Sequence, residues 1–193
     1  MKSACSPLTA GVSSYNINSN PTLLPAFVAT PGQPVAPLLV LGWGNLSRGD
    51  DALGPLCMAA LQAQLPPALQ GSVEFLEDYQ LTIEHTLDLA GRTGVLFIDA
   101  SLCCAAPFEV SMPQPRQDSS YTSHALSPQA LLQVFLDTQG CAAPPAHLLA
   151  IRGQRFELGQ PVSAAAHQHL AAALDWAQGW LTASLNPQER GGA

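Results

Sequence analysis

The chain has 193 residues, 47% of them hydrophobic and only 11% charged, with a formal net charge of −7. That length suits a single domain at roughly 150 residues per domain, with enough apolar content for an ordinary core. Lys2 is the sole lysine and the arginines are scattered, so no basic stripe exists for a phosphate backbone and no nucleic-acid partner is expected.

Residues 1–36 are rich in Ser, Pro, Asn and Thr without periodicity and read as a poorly ordered N-terminal extension. Order begins at the run Ala36 to Gly42, continuously apolar and closed by glycine, as in a strand buried on both faces of a parallel sheet. After the loop Trp43 to Asp50, residues Leu53, Leu56, Cys57, Ala60, Leu61 and Leu65 fall at helical spacing over 51–65, and Pro66-Pro67 stops them. Val73 to Asp78 alternates as a strand, and Thr82 is positioned to cap a short helix reaching Ala90. Val95 to Ala100 is a second apolar strand that closes on an acid, Asp99, and Phe108 to Met112 alternates as an edge strand.

A polar loop, Pro113 to Thr122, precedes a helix over 128–136 with Ser127 as N-cap and Pro128 at its first position. His147 to Ile151 is a further strand, and Ser163 to Leu185 a long amphipathic closing helix, with 186–193 a flexible tail. Strands alternating with helices predict one three-layer α/β/α domain over 37–185, with a mostly parallel twisted sheet of about five strands and helices on both faces.

Five cysteines, an odd number with no CxxC pair, argue against a disulfide framework or structural zinc, and Cys103-Cys104 read as ordinary core or loop residues. No apolar run approaches the ~20 residues that span a bilayer. The N-terminus also lacks a compact apolar signal region, so the expected location is cytoplasmic, without a membrane partner.

In open α/β sheets, sites form outside the carboxyl ends of strands near the switch point. Two acidic positions sit there: Asp99, and the pair Asp50-Asp51 one loop beyond the first strand. That loop carries Gly42-Trp43-Gly44, which opens like a dinucleotide fingerprint, but Ser47 takes the third glycine position. Two carboxylates also stand where a pyrophosphate needs positive potential. One acid would satisfy a helix cap, worth roughly 0.3–2 kcal/mol. A second, facing another acid at a neighbouring strand end, suits a cation site better.

His124, on a loop just ahead of a helix, is a candidate metal ligand or acid–base group. His167 and His169 diverge on their helix, and His85 and His147 read as structural. No serine-nucleophile elbow, zinc-protease helix motif or Walker loop is present. Asp51, Asp99 and His124 could hold a borderline divalent metal with water completing the shell. Three ligands with an open position suit a site that borrows its metal from a partner.

The run Leu39 to Asn45, then Arg48-Gly49-Asp50-Asp51 and Gly54, resembles the opening signature of the hydrogenase maturation proteases. Leu96 to Ala100 is similar to that family's second motif, and Ser123-His124 before a helix to its third, in the same order over residues 36–182. The resemblance implies an endopeptidase that removes the C-terminal extension of a nickel-iron hydrogenase large-subunit precursor after nickel insertion. It implies Asp51, Asp99 and His124 as nickel ligands and catalytic residues, with the nickel supplied by the substrate and none required in the resting protein. Gly44, Asn45 and Asp50 of the first loop are then expected to contact substrate. Where many members carry Asp-Gly-Gly-Thr, this chain has Tyr79-Gln80-Leu81 and Glu84, which looks like the branch serving soluble NAD(P)-linked hydrogenases. Gln80 and Glu84 are then expected to help recognise substrate, although a structural role for Glu84 stays open. Two other readings remain: a nickel-sensing chaperone that docks on the precursor without cutting it, and a small nucleotide-binding domain.

Overall fold

A computed structural model describes residues 35–117 and 126–186 of the chain, so the expectations for the N-terminal extension before residue 35, for the tail beyond 186 and for His124 lie outside the described residues. Five strands form one sheet: β1 (Leu38–Trp43), β2 (Val73–Asp78), β3 (Gly94–Ser101), β4 (Phe108–Ser111) and β5 (Ala146–Arg152). Their order is β2-β1-β3-β5-β4, all parallel except β4, which runs antiparallel to β5 at one edge. The expected three-layer α/β architecture and the edge position of Phe108–Ser111 are what the structure shows.

The continuous apolar runs of β1 and β3 are explained by burial on both faces. Leu38 and Val40 of β1, with Leu96 and Ile98 of β3, pack under helices α1 (Leu53–Gln64) and α3 (Ala164–Leu185). Leu39, Leu41, Val95 and Phe97 face the opposite way, against Leu131, Leu132 and Phe135 of α2 (Pro128–Gln139). Strand periodicity therefore sends Asp99 to the α2 side, in line with Val95 and Phe97. The expected Ser127 cap forms, its Oγ accepting from Ala130 N–H at 3.2 Å, and Ser163, at the start of α3, caps in the same way, its Oγ accepting from Ala166 N–H at 3.2 Å. Helix α2 continues three residues past the expected end, because the left-handed residue that terminates it is Gly140, with φ of 66°.

Two helical expectations change in detail. The first helix does not begin at Asp51: residues Gly49–Ala52 form a 3-10 turn, and α1 starts at Leu53. The helix expected to reach Ala90 is a single 3-10 turn, Ile83–Thr86. Ile83 and Leu87 face solvent, and only Leu81 and Leu89 reach the core, too little packing to propagate a helix. The four cysteines among the described residues are ordinary: Cys57 is buried, with its thiol pushed up to about 12 by burial, Cys104 is buried, and Cys103 and Cys141 are exposed. Among the described residues, no helix is long and apolar enough to cross a membrane.

One close approach sets the position of α1. A Cβ on Gly54 would lie 2.3 Å from the Trp43 carbonyl oxygen and 2.9 Å from that of Ile98. Backbone occupies both places, so only glycine lets the first turn of α1 rest on the carboxyl ends of β1 and β3. Gly54→Ala is accordingly expected to cost about 2 kcal/mol or more, as overpacking against an unyielding backbone does. Urea denaturation measures this, and a loss below a few tenths of a kcal/mol would show that the helix start is not pinned there.

Candidate functional site

The order β2-β1-β3 places the switch point between β1 and β3, where connections leave in opposite directions. The β1 loop turns back on the helix start at Gly44, whose φ is 142° and whose missing Cβ would sit 2.0 Å from the Asp51 carbonyl oxygen. The next amide, Asn45 N–H, donates to Asp51 Oδ2 at 3.1 Å, which aims that side chain at the carboxyl edge of the sheet. Asp51 keeps partial exposure there.

Asp50, one residue earlier, does the opposite. It is fully buried, and its carboxylate accepts from the backbone N–H of Gln154 (2.8 Å), Arg155 (3.1 Å) and Ser163 (2.6 Å) and from the Ser163 hydroxyl (2.9 Å). Burial opposes ionisation, but these four donors together hold its pKa below the ordinary carboxylate value. The acid fastens the β5–α3 connection to the start of α1, and Asp50 N–H completes the clasp by donating to Arg155 C=O at 2.7 Å. The expected substrate contact for Asp50 is thus corrected: with no exposed surface, it supports the site from behind.

Asp99 closes the buried part of β3. Burial raises its pKa most, and the nearby Asp51 charge raises it further, to about 7. The Ala100 N–H, 2.8 Å from Oδ1, and the Trp43 indole only partly offset this. Trp43 is itself held edge-on against Phe97, with ring centroids 6.1 Å apart. Asp51 and Asp99 are therefore near enough for their charges to interact, and Asp99 exchanges its proton with solvent around neutral pH.

Beside this pair, Gly44 and Asn45 line a cleft of about 340 Å³ with Leu46, Glu77, Asp78 and Tyr79. Gln80 and Glu84 are exposed on the segment that follows, outside the cleft wall. A hydrogen bond from the Thr82 hydroxyl holds the Glu84 carboxylate below its usual range. His85 is structural, as expected, but its role is more specific than the sequence signals. Its Nδ1 accepts from Thr82 N–H at 3.0 Å, so the proton sits on Nε2, 3.5 Å from the Asp78 carboxylate in the cleft wall. The Thr82 to His85 spacing is the available signal, and in sequence it indicates only a helix cap. His169 is likewise occupied, with Nδ1 2.7 Å from Arg152 C=O.

Among the described residues, no group of three or more His, Cys, Asp and Glu side chains is placed to hold a metal ion. Asp51 and Asp99 provide two oxygen donors, and the third expected ligand, His124, lies outside those residues. Two carboxylates without soft donors are the ligand chemistry that a hard or borderline divalent cation would accept, and alone they leave most of its coordination positions open.

No protein-family model matches the chain, and no curated protein matches it. Solved structures do. A [NiFe] hydrogenase maturation protease, HycI from Thermococcus kodakarensis, aligns with a TM-score of 0.60 at 18% identity, over 76% of this chain and 93% of its own. The hydrogenase maturating endopeptidase HybD from E. coli aligns with a TM-score of 0.59 at 23% identity, over 76% and 93%. The solution structure of an endopeptidase from E. coli gives 0.57 at 21%, over 78% and 93%. This chain shares their fold.

Two stability effects of opposite sign follow. Asp50→Ala strands three backbone amides and a hydroxyl, and is expected to cost about 3 kcal/mol or more. Hydrogen exchange should rise at residues 153–163; unchanged protection there would refute the clasp. Asp99 works in the other direction. A carboxyl raised from 3.8 to about 7 favours folding fully below pH ~4, and that favour is lost as pH climbs through about 7. Its ionisation then costs on the order of 4 kcal/mol, the rise from 3.8 to about 7 taken at roughly 1.4 kcal/mol per pH unit. Asp99→Asn should therefore stabilise the fold at pH 8 and change little at pH 4 in urea titrations. An equal effect at both pH values would contradict the raised pKa.

Proposed function

We propose that the chain is an endopeptidase that removes the C-terminal extension of a nickel-iron hydrogenase large-subunit precursor after nickel insertion. In this reading it detects the substrate's nickel through Asp51, Asp99 and His124. The observation that carries the proposal is the meeting of Asp51 and Asp99 at the switch point between β1 and β3, on a fold shared with hydrogenase maturation proteases. The motif residues support it: Gly44, Asn45 and Gly54 each serve the placement of Asp51.

The pair's chemistry suits a cation that comes and goes. Asp99 gives up its proton as a cation approaches, so recognition is linked to proton release, and the resting chain avoids two adjacent buried charges. Nickel carried by the substrate, held at Asp51 and Asp99, would supply Lewis acidity at the scissile carbonyl. The Asn45 amide fixes the orientation of Asp51, and Trp43 and the Ala100 amide fix that of Asp99. Gly44 and Asn45, shared between the carboxylate support and the cleft wall, are positioned to contact the precursor near the cut.

The resemblance carried by Tyr79-Gln80-Leu81 and Glu84 supports assigning the precursor to the soluble NAD(P)-linked branch, processed in the cytoplasm; Tyr79, Gln80 and Glu84 are exposed. Gln80 and Glu84 then read substrate surface beyond the cleft.

Asp51→Asn and Asp99→Asn should fold and yet leave nickel-loaded precursor uncut, as mass spectrometry of the precursor's carboxyl end reports. Normal trimming by both variants would sink the proposal. An untrimmed end even with the unaltered chain would favour the non-cutting chaperone. Nickel titrated into the isolated chain should bind more tightly as pH rises toward 7, with protons released to the buffer. Calorimetry in two buffers of different ionisation enthalpy measures both, and pH-independent binding would remove Asp99 from the cation site.

A further inference from the structure

The strand β2 lies at the edge of the sheet, with no strand paired to its outer side among the described residues, and its hydrogen-bonding parity can be read from its neighbours. Leu38 N–H donates to Ser72 C=O and Gly44 N–H to Asp78 C=O, both at 3.1 Å. Residues of that parity, including Glu74 and Leu76, face β1, so Val73, Phe75 and Glu77 turn their N–H and C=O groups outward. Grooves flank both ends of this edge. One, of about 420 Å³, is lined by Gln62, Leu65, Gln70, Val73, Glu74 and Phe75. The other is the cleft of about 340 Å³ bounded by Glu77, Asp78 and Tyr79, whose wall includes Asn45, the residue that supports Asp51.

Side chains along the edge add two preferences. Tyr79 and Leu46 at the mouth of the cleft are 76% and 58% exposed, large apolar surfaces that favour contact with a polypeptide. The charged groups of the strand are all acidic. Glu74 is matched by Arg92 and Asp78 by His85, whereas Glu77 is exposed with no ion-pair partner among the described residues. Acids on an open edge repel a second copy of a chain whose net charge is −7, which limits self-pairing. Glu77, left unmatched, attracts a strand of positive charge.

We propose that β2 is a docking edge. An extended, cationic segment of a partner polypeptide adds to the sheet along Phe75 and Glu77, beyond the buried Val73, and its chain is led through the cleft toward Asp51 and Asp99. The proposal rests on the reading that the chain acts on a polypeptide, and it specifies how that polypeptide is held. Backbone bonding at alternate residues supplies affinity without demanding one sequence, and the acids select the charge.

Hydrogen exchange of the full chain tests this, using as probe a soluble peptide of about ten residues alternating arginine with valine, long enough to match a typical strand. The amides of Phe75 and Glu77 should gain protection when the peptide is added, while those of Glu74, Leu76 and Asp78, already bonded to β1, should not change. The same peptide with glutamate for arginine should protect them at least about tenfold less at equal concentration. Glu77→Pro removes an outward N–H without touching the β1 ladder and should abolish the effect, whereas Glu77→Gln should weaken it only through charge. No period-two protection would overturn the proposal. So would protection present without peptide: if it grows with protein concentration, a second copy occupies the edge, and if it does not, the chain covers the edge itself. Asp51→Asn should leave the protection intact while stopping cleavage, so failure of the docking edge and failure of the peptidase reading give different results.

Discussion

Almost everything at the carboxyl edge of the sheet depends on how closely α1 can approach it. Gly54 lies against the carbonyls of Trp43 and Ile98, at separations no side chain could share. Ile98 directly precedes Asp99, and Asp51 stands three residues before Gly54 on the turn that opens the helix. Bringing α1 down onto the strand ends therefore brings the two carboxylates together. Gly44 serves the same end from the other side, since its missing side chain lets the β1 loop close over the Asp51 carbonyl. The glycines of the motif thus act through backbone contact distance, and no phosphate-binding role is needed to explain them.

Such a pair is unfavourable to the fold, because desolvation and like charge both act on Asp99. The structure offsets that cost close by. Asp50 is turned inward by the same 3-10 turn that turns Asp51 outward, and its four hydrogen bonds fix the β5–α3 connection to the helix start. Adjacent acids in sequence thereby take opposite tasks. One is strongly solvated by protein donors and holds the frame; the other is left to face its like-charged neighbour. An unfavourable pair of this kind at a strand end adds nothing to stability, and under the proposed function it is what an arriving cation would relieve.

Much of this is legible in the sequence. The double-sided apolar runs of β1 and β3 announce a parallel sheet, and the acid ending β3 marks the edge that matters. The distinction between Asp50 and Asp51 is not legible, because a one-residue offset within a 3-10 turn decides which acid meets the amides of Gln154 and Arg155, a hundred residues away. Propensity at 82–90 favours a helix, yet solvent-facing Ile83 and Leu87 leave it one turn long. The pairing of His85 with Asp78 depends on how β2 ends relative to that turn, a tertiary relation that no local pattern encodes. His124 rests on motif order alone.

The low charge content sharpens what each carboxylate means. With 11% charged residues against roughly 25% in an average chain, few ionisable groups here are idle surface decoration. Around the open end of the sheet they form a gradient of environments. Glu77 is exposed, Asp78 is half-covered and meets His85, Asp51 is partly buried and held by one amide, and Asp99 is buried enough to keep its proton near neutral pH. A cationic segment entering along β2 would meet negative charge of decreasing hydration, and electrostatic attraction strengthens as water is excluded. The same ordering that makes Asp99 costly in the resting chain makes the innermost position the one where an arriving cation gains most.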